Sequence, residues 1–359
     1  MLNQPLSPSS ILVSPCRRNL PDVVYAYGFS LNKRSSLRRF AAESAVRFVR
    51  NAKGIPPGST VLLWGSHVAP QGLPRNIDVV RVEDGFLRSV GLGAEFAQPL
   101  SWVMDGRGIH YDATQPSDLE HLLQTERWSA ALLERAASLR ERLVASGITK
   151  YSVGRATWKR PSRSMHVILV PGQVESDASL RFGAPDLHTN IGLLRAVRLA
   201  QPQSYLVYKP HPDVVARLRA RGVGEAQAKS FCDEVVTDVA MGELLKQVDE
   251  VHVLTSLTGF EALLRRKKVV CYGLPFYAGW GLTKDLLCIA RRTRRLTLDE
   301  LVAGTLICYA GYVSRSDGRS STPEQALDDL LAWRATRLGR FQKRRDLWRR
   351  AIRLTVGAA

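Results

Sequence analysis

Short apolar runs that end in glycine or in a group of polar residues recur along this 359-residue chain and constrain its fold most strongly. The run at residues 61–65 (VLLWG) is one example, and the run at residues 167–172 (VILVPG) is another. Between such runs lie segments in which apolar residues have helical spacing, among them residues 34–52 and 116–147. Strands that alternate with helices are typical of parallel sheets, so we predict an α/β fold.

The chain is long enough for two domains, and a polar internal stretch marks the boundary between them. Residues 152–164 (SVGRATWKRPSRS) are basic and polar, and they separate two regions of alternating strands and helices. We therefore predict two Rossmann-like domains that face a central cleft, at residues 1–155 and 156–320. A helical basic tail at residues 321–359 would follow them.

The excess of basic residues predicts an anionic partner. Lys and Arg together number 51 and Asp and Glu together number 33, which gives a net charge of +18. Nine basic residues and one acid lie between Arg334 and Arg353, so much of this excess is in the tail. The tail helix would lie on an anionic membrane surface or pack on the other domain. The apolar residues on one face of this predicted helix are Leu338, Phe341, Trp348 and Ile352.

The sequence markers of several protein classes are missing from this chain. The five cysteines are scattered and show no C-x-x-C spacing, which predicts reduced thiols and no metal site. We find no secretory signal and no apolar run long enough to span a bilayer, and we therefore predict a cytoplasmic protein. The charge suggests a nucleic-acid-binding protein as an alternative, but zinc-finger and RNA-recognition signatures are missing.

Two groups of acidic residues follow predicted strands. Glu83 and Asp84 end an apolar run and precede Gly85. Because neighbouring residues of a strand point to opposite faces, we expect only one of these two carboxylates to face a cleft. Asp177 lies just beyond the strand at residues 167–172 and precedes a segment of helical composition. Its carboxylate is therefore either a helix N-cap or a functional group of the cleft.

Two further strand ends carry groups that are suited to bind anions. Lys209 and His211 end the run YLVYKPHP, and two prolines fix the backbone on either side of His211. A histidine held in this way beside a lysine is suited to stabilise a departing phosphate. Ser256 and Thr258 precede a segment with helical spacing, and the N-terminus of a helix favours negative charge.

Together these strand ends predict group transfer from a nucleotide donor. Polar residues at the carboxyl ends of strands line the ligand sites of open α/β sheets. Glu261, one turn into the predicted helix, is placed to accept hydrogen bonds from ribose hydroxyls, and Gln173 belongs to the same predicted site. Phosphate-loop and dinucleotide fingerprints are missing, as is a metal-binding D-x-D pattern in these segments. We expect a donor with a single phosphate that needs no divalent ion.

Six segments in a fixed order carry a resemblance to a known family. They are YAYGFS (25–30), RVEDGFLRSVGLG (81–93), PGQVESDAS (171–179), YKPHPD (208–213), TSLTGFEALLRRKKVVCYGLPFYAGWGLT (255–283) and RRLTLDELV (294–302). These segments resemble the β-Kdo transferases of bacterial capsule assembly that are of the KpsC type. The resemblance covers about residues 20–315.

This resemblance implies a retaining enzyme of the GT-B type that needs no cofactor and transfers Kdo from CMP-Kdo in capsule linker synthesis. The implied acceptor is a glycolipid that ends in Kdo or in lysophosphatidylglycerol. By the same resemblance, Asp177 matches the nucleophile, Glu83 and Asp84 match the acid/base motif, and His211 matches a contact to the CMP phosphate. The residues predicted to bind the CMP-sugar are Gln173, Lys209, His211, Ser256, Thr258 and Glu261.

The resemblance also implies partners. They are CMP-Kdo, an anionic glycolipid acceptor, the surface of the inner membrane through the basic tail, and other capsule-assembly proteins. We expect no nucleic acid, and we expect a cytoplasmic protein peripheral to the inner membrane. KpsC-type proteins commonly carry two such modules whereas this chain carries one, which leaves the linkage open. A non-catalytic capsule-assembly or export factor is another alternative, against which the acids and the histidine argue.

Overall fold

The computed structural model describes residues 18–89, 98–150, 154 and 156–336, and within them it contains two β-sheets. The four apolar residues that we predict on one face of a tail helix lie outside the described residues. The strands in the described part are β1 (Val23–Tyr27), β2 (Ala45–Phe48), β3 (Thr60–Trp64), β4 (Asp78–Asp84), β5 (Ser101–Asp105), β6 (Val167–Pro171), β7 (Tyr205–Lys209), β8 (Glu234–Val235), β9 (Glu250–Val253), β10 (Lys268–Cys271), β11 (Lys284–Asp285), β12 (Ala310–Val313) and β13 (Ser320–Ser321).

The first sheet is mixed, so the parallel arrangement predicted for the N-terminal half is only partly right. Its order is β13-β12-β5-β4-β3-β1-β2, and the strands β1 to β4 pair in parallel. Strands β5, β12 and β13 pair antiparallel with their neighbours. The chain direction reverses between β4 and β5, and backbone bonds such as Gly85 N–H to Ser101 O hold the two sides together. A parallel neighbour would need a crossover connection.

The chain returns to the first sheet near the end of its described part. Strands β12 and β13 extend the first sheet beyond β5, although the predicted division places residues 310–320 in the second domain and residue 321 in the tail. Strand β12 pairs with β5 from Ala310, which lies opposite Val103, to Tyr312, which lies opposite Ser101. Part of the predicted second domain thus belongs to the first sheet, although the domain division itself stays a prediction.

The second sheet is parallel throughout its described strands, as the alternation of strands and helices predicts. Its order is β11-β10-β9-β6-β7-β8. The chain runs outward from β6 through β7 to β8, and it then crosses back to β9 and runs outward on the other side. The strand order therefore reverses between β6 and β9. Open α/β sheets bind ligands at such a point, beyond the carboxyl ends of the strands.

The helices lie between the strands, with one correction to the sequence prediction. Residues 34–52 do not form one helix, because the chain leaves the helix at Ala41 and residues 45–48 pair with β1 as an edge strand. No helix of the described part is long and apolar enough to cross a membrane. The helices are α1 (Leu31–Phe40), α2 (Asp118–Thr125), α3 (Ala130–Ser146), α4 (Ala178–Gly183), α5 (Asn190–Ala200), α6 (Pro212–Val215), α7 (Met241–Gln247), α8 (Leu257–Leu264) and α9 (Leu298–Val302), with a 3₁₀ helix (Glu225–Ser230) and a π-helix (Ala303–Tyr309). Residues 323–336, at the end of the described part, are helical as well.

One apolar core contains residues of both sheets. Buried residues of β5 and of β6, such as Val103 and Leu169, belong to the same cluster. Aromatic rings connect the two halves where Phe86, which follows β4, lies 5.1 Å from Phe276 and 6.1 Å from Phe260 between ring centroids. Rings at these distances add favourable edge and offset contacts to the burial of their apolar surface. The two sheets are thus held against each other by a shared core.

A buried ion pair between distant parts of the chain leads to a stability prediction. Glu120 of α2 accepts hydrogen bonds from Arg291 and, at 2.8 Å, from Arg292, whose side chain is 3% exposed. Glu120→Ala would leave the Arg292 guanidinium buried without its carboxylate, and we expect the free energy of unfolding to fall by about 3–5 kcal/mol. The matched control is Glu243→Ala, which breaks an exposed pair with Lys246 and should cost less than about 1 kcal/mol. Urea denaturation of both variants tests this, and equal losses would contradict it.

Candidate active site

A cavity of about 520 Å³ opens where the carboxyl ends of strands from both sheets meet. Its wall comes from the segments that follow β3 and β4 in the first sheet and β6, β7 and β9 in the second. This is the placement that the strand-end pattern predicts. All nine predicted site residues line this one cavity, namely Glu83, Asp84, Gln173, Asp177, Lys209, His211, Ser256, Thr258 and Glu261.

The two acids at the end of β4 differ in their surroundings. Asp84 accepts hydrogen bonds from Arg88 Nε at 2.7 Å and from Trp102 Nε1 at 3.1 Å. Burial opposes its ionisation, but the charges of Arg88, Lys33 and Lys150 outweigh this and keep the pKa of Asp84 below its ordinary value. This carboxylate is a fixed anion that holds the turn after β4.

Glu83 is the acid of this pair that can exchange a proton near neutral pH. Burial, together with the charge of Asp84, raises the pKa of Glu83 to about 7. The Glu83 carboxylate lies against Gly65, where φ is +55° and an added Cβ would be 3.0 Å from Oε2. The glycine after β3 is thus needed both for its left-handed backbone and for the close approach of the carboxylate.

Asp177 takes the position of a helix N-cap without the capping contact. It precedes α4, but its side chain makes no hydrogen bond to the first turn of that helix. The carboxylate instead forms an ion pair with Arg219, and both side chains are 44% exposed. Partial burial raises the pKa of Asp177, and the nearby charges of Arg219 and Lys150 oppose that rise. The side chain therefore faces the cavity as a carboxylate that is not committed to the helix.

His211 is held in one tautomer by the start of α6. Its Nδ1 accepts a hydrogen bond from the backbone N–H of Asp213 at 3.2 Å, which leaves the ring proton on Nε2. Burial lowers the pKa of His211 to about 4, so the ring is neutral at pH 7. Beside it, burial lowers the pKa of Lys209 to about 8, and its Nζ lies 3.4 Å from Thr237 O. The pair presents a neutral N–H donor and a buried amine at the end of β7.

The turn after β9 forms the start of α8 and is capped by its own serine. The Ser256 hydroxyl accepts a hydrogen bond from the backbone N–H of Thr258 at 3.2 Å and so caps α8. The Gln173 side chain joins this turn to the end of β6, since its Oε1 accepts from Thr255 N–H and its Nε2 donates to Thr255 Oγ1, both at 3.0 Å. Gln173 thus positions the turn at the point where the strand order reverses.

Glu261 is buried beneath the same turn and lies near a residue that sequence reasoning missed. Its Oε1 accepts a hydrogen bond from the backbone N–H of Lys150 at 2.6 Å, and burial raises its pKa to about 7. Lys150, which follows α3, lines the cavity, and its charge acts on Glu83, Asp177 and His211 as well. This lysine is a cation shared by the acids of both sheets.

Sequence reasoning also missed Arg219, Asp213 and His110, all of which line the cavity. Asp213 Oδ1 and His110 Nδ1 are buried with no hydrogen-bond partner within the described residues. Burial lowers the pKa of His110 to about 3. Asp213 ends the segment YKPHPD (208–213), whereas Arg219 and Lys150 lie in connections with no motif around them. Residues 18–89, 98–150, 154 and 156–336 contain no group of three or more acids, histidines or cysteines arranged to hold a metal ion.

Comparison with known proteins agrees with the motifs. A family model described as "Capsule polysaccharide biosynthesis protein" matches residues 60–152 and 127–312. The chain belongs to this capsule polysaccharide biosynthesis family. One relative is the capsule polysaccharide modification protein LipA of Neisseria meningitidis serogroup A, which is 42% identical over 318 residues. That match covers 86% of this chain and 45% of LipA, so the chain spans about half the length of this relative.

Two solved structures share the fold. The Thermosulfurimonas dismutans KpsC beta Kdo 2,7 transferase is 38% identical, with a TM-score of 0.73 over 87% of this chain and 99% of that one. The beta Kdo 2,4 transferase of the same KpsC is 31% identical, with a TM-score of 0.77 over 86% of this chain and 98% of that one. The resemblance to the KpsC type and the α/β fold are thereby confirmed.

Proposed function

We propose that this member of the capsule polysaccharide biosynthesis family is a retaining β-Kdo transferase of the GT-B type. It takes Kdo from CMP-Kdo and passes it to a glycolipid that ends in Kdo or in lysophosphatidylglycerol. The observation that carries the proposal is the single cavity in which Asp177, Glu83, His211 and the start of α8 meet. Similarity to two structures whose names describe β-Kdo transfer supports the choice of sugar.

The two acids suit a reaction in two steps. Asp177 attacks the anomeric carbon of Kdo, and the bond from that carbon to the CMP phosphate oxygen breaks, with the electron pair leaving on CMP. In the second step the acceptor hydroxyl attacks the same carbon, the bond to Asp177 breaks, and the proton of the hydroxyl passes to Glu83. A pKa of about 7 suits Glu83 to this role, because it is substantially ionised at neutral pH and can still take up a proton.

The wall formed by the ends of β7 and β9 is suited to bind the leaving group, CMP. The Nε2–H of His211 and the amine of Lys209 are donors to the phosphate as its charge grows, and they act in a partly buried site where such bonds are strong. Ser256, Thr258 and the start of α8, where the helix dipole favours negative charge, bind the nucleotide phosphate, with Gln173 holding their turn. Glu261 then lies close enough to this turn to contact the ribose. No step assigned here calls for a divalent ion.

The direct test is transfer by the purified protein. Incubation with CMP-Kdo and a synthetic β-Kdo glycolipid should yield an acceptor heavier by one Kdo residue, together with one CMP per transfer, in buffer that contains a chelator. Mass spectrometry of the acceptor and chromatography of CMP measure both products. CMP release without a heavier acceptor would contradict the choice of this acceptor. The absence of both products would contradict the assignment of transferase activity. Parallel reactions with CMP-sialic acid test the choice of sugar.

The setting of this reaction also follows as a proposal. A lipid-linked acceptor places the enzyme at the cytoplasmic face of the inner membrane, where other capsule-assembly proteins handle the same glycolipid. The basic tail after residue 336 carries cations suited to that surface.

A further inference from the structure

A loop at the mouth of the cavity combines exposed apolar and basic side chains. This rim loop (residues 215–223, VARLRARGV) begins at the last residue of α6 and contains three arginines and no acid. Its apolar side chains are exposed, with Val215 at 45%, Leu218 at 48% and Val223 at 77%. Large apolar side chains exposed together on one short segment call for a partner, whereas single ones scattered over a surface do not.

The backbone of the rim loop is tied to the cavity wall. The N–H groups of Leu218 and Arg219 donate to Asp213 O at 2.8 and 3.1 Å. At its other end, Val223 N–H donates to Glu175 Oε2 at 2.8 Å, two residues before Asp177. The loop is thus attached at both ends beside the proposed nucleophile, and its apolar side chains remain in solvent. A fixed backbone reduces the ordering cost of presenting these side chains to a partner.

The composition of the rim loop indicates the kind of partner that it fits. We propose that the rim loop docks on an anionic lipid surface, with its valines and leucine in the interfacial layer and with Arg217 and Arg221 on lipid phosphates. The loop has no aromatic ring for stacking on bases, which argues against nucleic acid. Three apolar side chains also cover far less area than a stable protein interface needs.

Docking in this way turns the mouth of the cavity toward the bilayer. Arg219 lies in the rim loop and also pairs with Asp177 in the cavity, so the lipid surface and the reaction site would be only one side chain apart. On the opposite wall, Val68 is 84% exposed and follows the cavity-lining His67. The headgroup of a lipid-linked acceptor could then enter the cavity while its acyl chain stays in the membrane. The docking proposal itself stands on the loop and does not depend on the sugar that is transferred.

The test uses the full chain, with a polarity-sensitive maleimide dye on Val223→Cys in a background that carries Cys16→Ser and Cys288→Ser. Cys288 is exposed, whereas Cys232, Cys271 and Cys308 are buried. The dye should shift to shorter wavelength with vesicles of phosphatidylglycerol and phosphatidylcholine, and not with phosphatidylcholine alone. The matched control carries the dye on Leu199→Cys, a position that is 83% exposed at the far end of α5 and should stay unchanged.

A second variant tests the charges. Arg217→Asn together with Arg221→Gln should weaken partition to the phosphatidylglycerol vesicles by about 30-fold. Asparagine suits position 217 because the backbone there is left-handed, with φ at 58°. A dye at position 223 that responds no more than the dye at 199 would overturn the proposal, even if the tail binds the vesicles. Unchanged partition of the arginine variant would also overturn it. Neither result depends on transfer activity, so the vesicle-binding experiments can be interpreted even if the Kdo transfer assay fails.

Discussion

Asp177→Asn should lower the rate of Kdo transfer by about 10⁴-fold or more, because an amide cannot form the bond that the first step requires. The substitution keeps the size of the side chain, and no capping bond to α4 is lost, since Asp177 makes none. CMP binding should change little, because the proposed nucleotide site lies at the ends of β7 and β9. Steady-state kinetics with CMP-Kdo and calorimetry with CMP measure the two quantities separately.

The control for this variant is Asp213→Asn in the same cavity wall. It removes the same charge, but the Asp213 carboxylate has an oxygen with no hydrogen-bond partner within the described residues, and no step is assigned to it. We expect a much smaller loss of transfer in this variant. Without acceptor, the wild-type protein should gain the mass of one Kdo residue and Asp177→Asn should not. Normal turnover by Asp177→Asn would contradict the assignment of Asp177 as the nucleophile.

The sequence predicts the strand ends well because the information there is local. A buried parallel strand needs a short apolar run, and the polar residues after it must lie at the edge where ligands bind. Glu83, Lys209 and Ser256 are therefore found from the pattern alone, and the structure places them around one cavity. The sequence also leaves Asp177 open between cap and functional carboxylate. In the structure its side chain makes no capping bond and pairs with Arg219, while its role in the reaction stays a prediction.

The rest depends on contacts between distant parts of the chain. The apolar run of β5 does not reveal its direction, and β12, which pairs with β5, follows every strand of the second sheet along the sequence. Residues 45–48 have helical spacing, yet pairing with β1 makes them a strand. Lys150 and Arg219 stand in connections, where nothing in the neighbouring residues indicates a site. Tertiary contact decides these cases, and local patterns do not record it.

Glu83→Gln should lower transfer by about 10²- to 10⁴-fold and remove a step in the pH profile. If Glu83 takes the proton of the acceptor hydroxyl, it must be ionised, so kcat/KM should rise with pH and level off above its pKa of about 7. In Glu83→Gln this rise should be absent, because an amide does not titrate. Initial rates of Kdo transfer from pH 5 to pH 9 measure the profile, with the stability of the protein checked at each pH.

Two variants decide whether the step in that profile belongs to Glu83. The pKa of Glu261 is also about 7, so Glu261→Gln must keep the rise if the assignment is right. In Asp84→Asn the rise should move to lower pH, because the charge of Asp84 is one of the causes that raise the pKa of Glu83. Asp84→Asn should also destabilise the protein, since the side chain of Arg88 is 9% exposed and loses its carboxylate. If the rise disappears in Glu261→Gln and persists in Glu83→Gln, then Glu261, and not Glu83, is the residue that accepts the proton. The shift in Asp84→Asn is specific to Glu83, because among the two titrating acids only Glu83 owes part of its raised pKa to that neighbour.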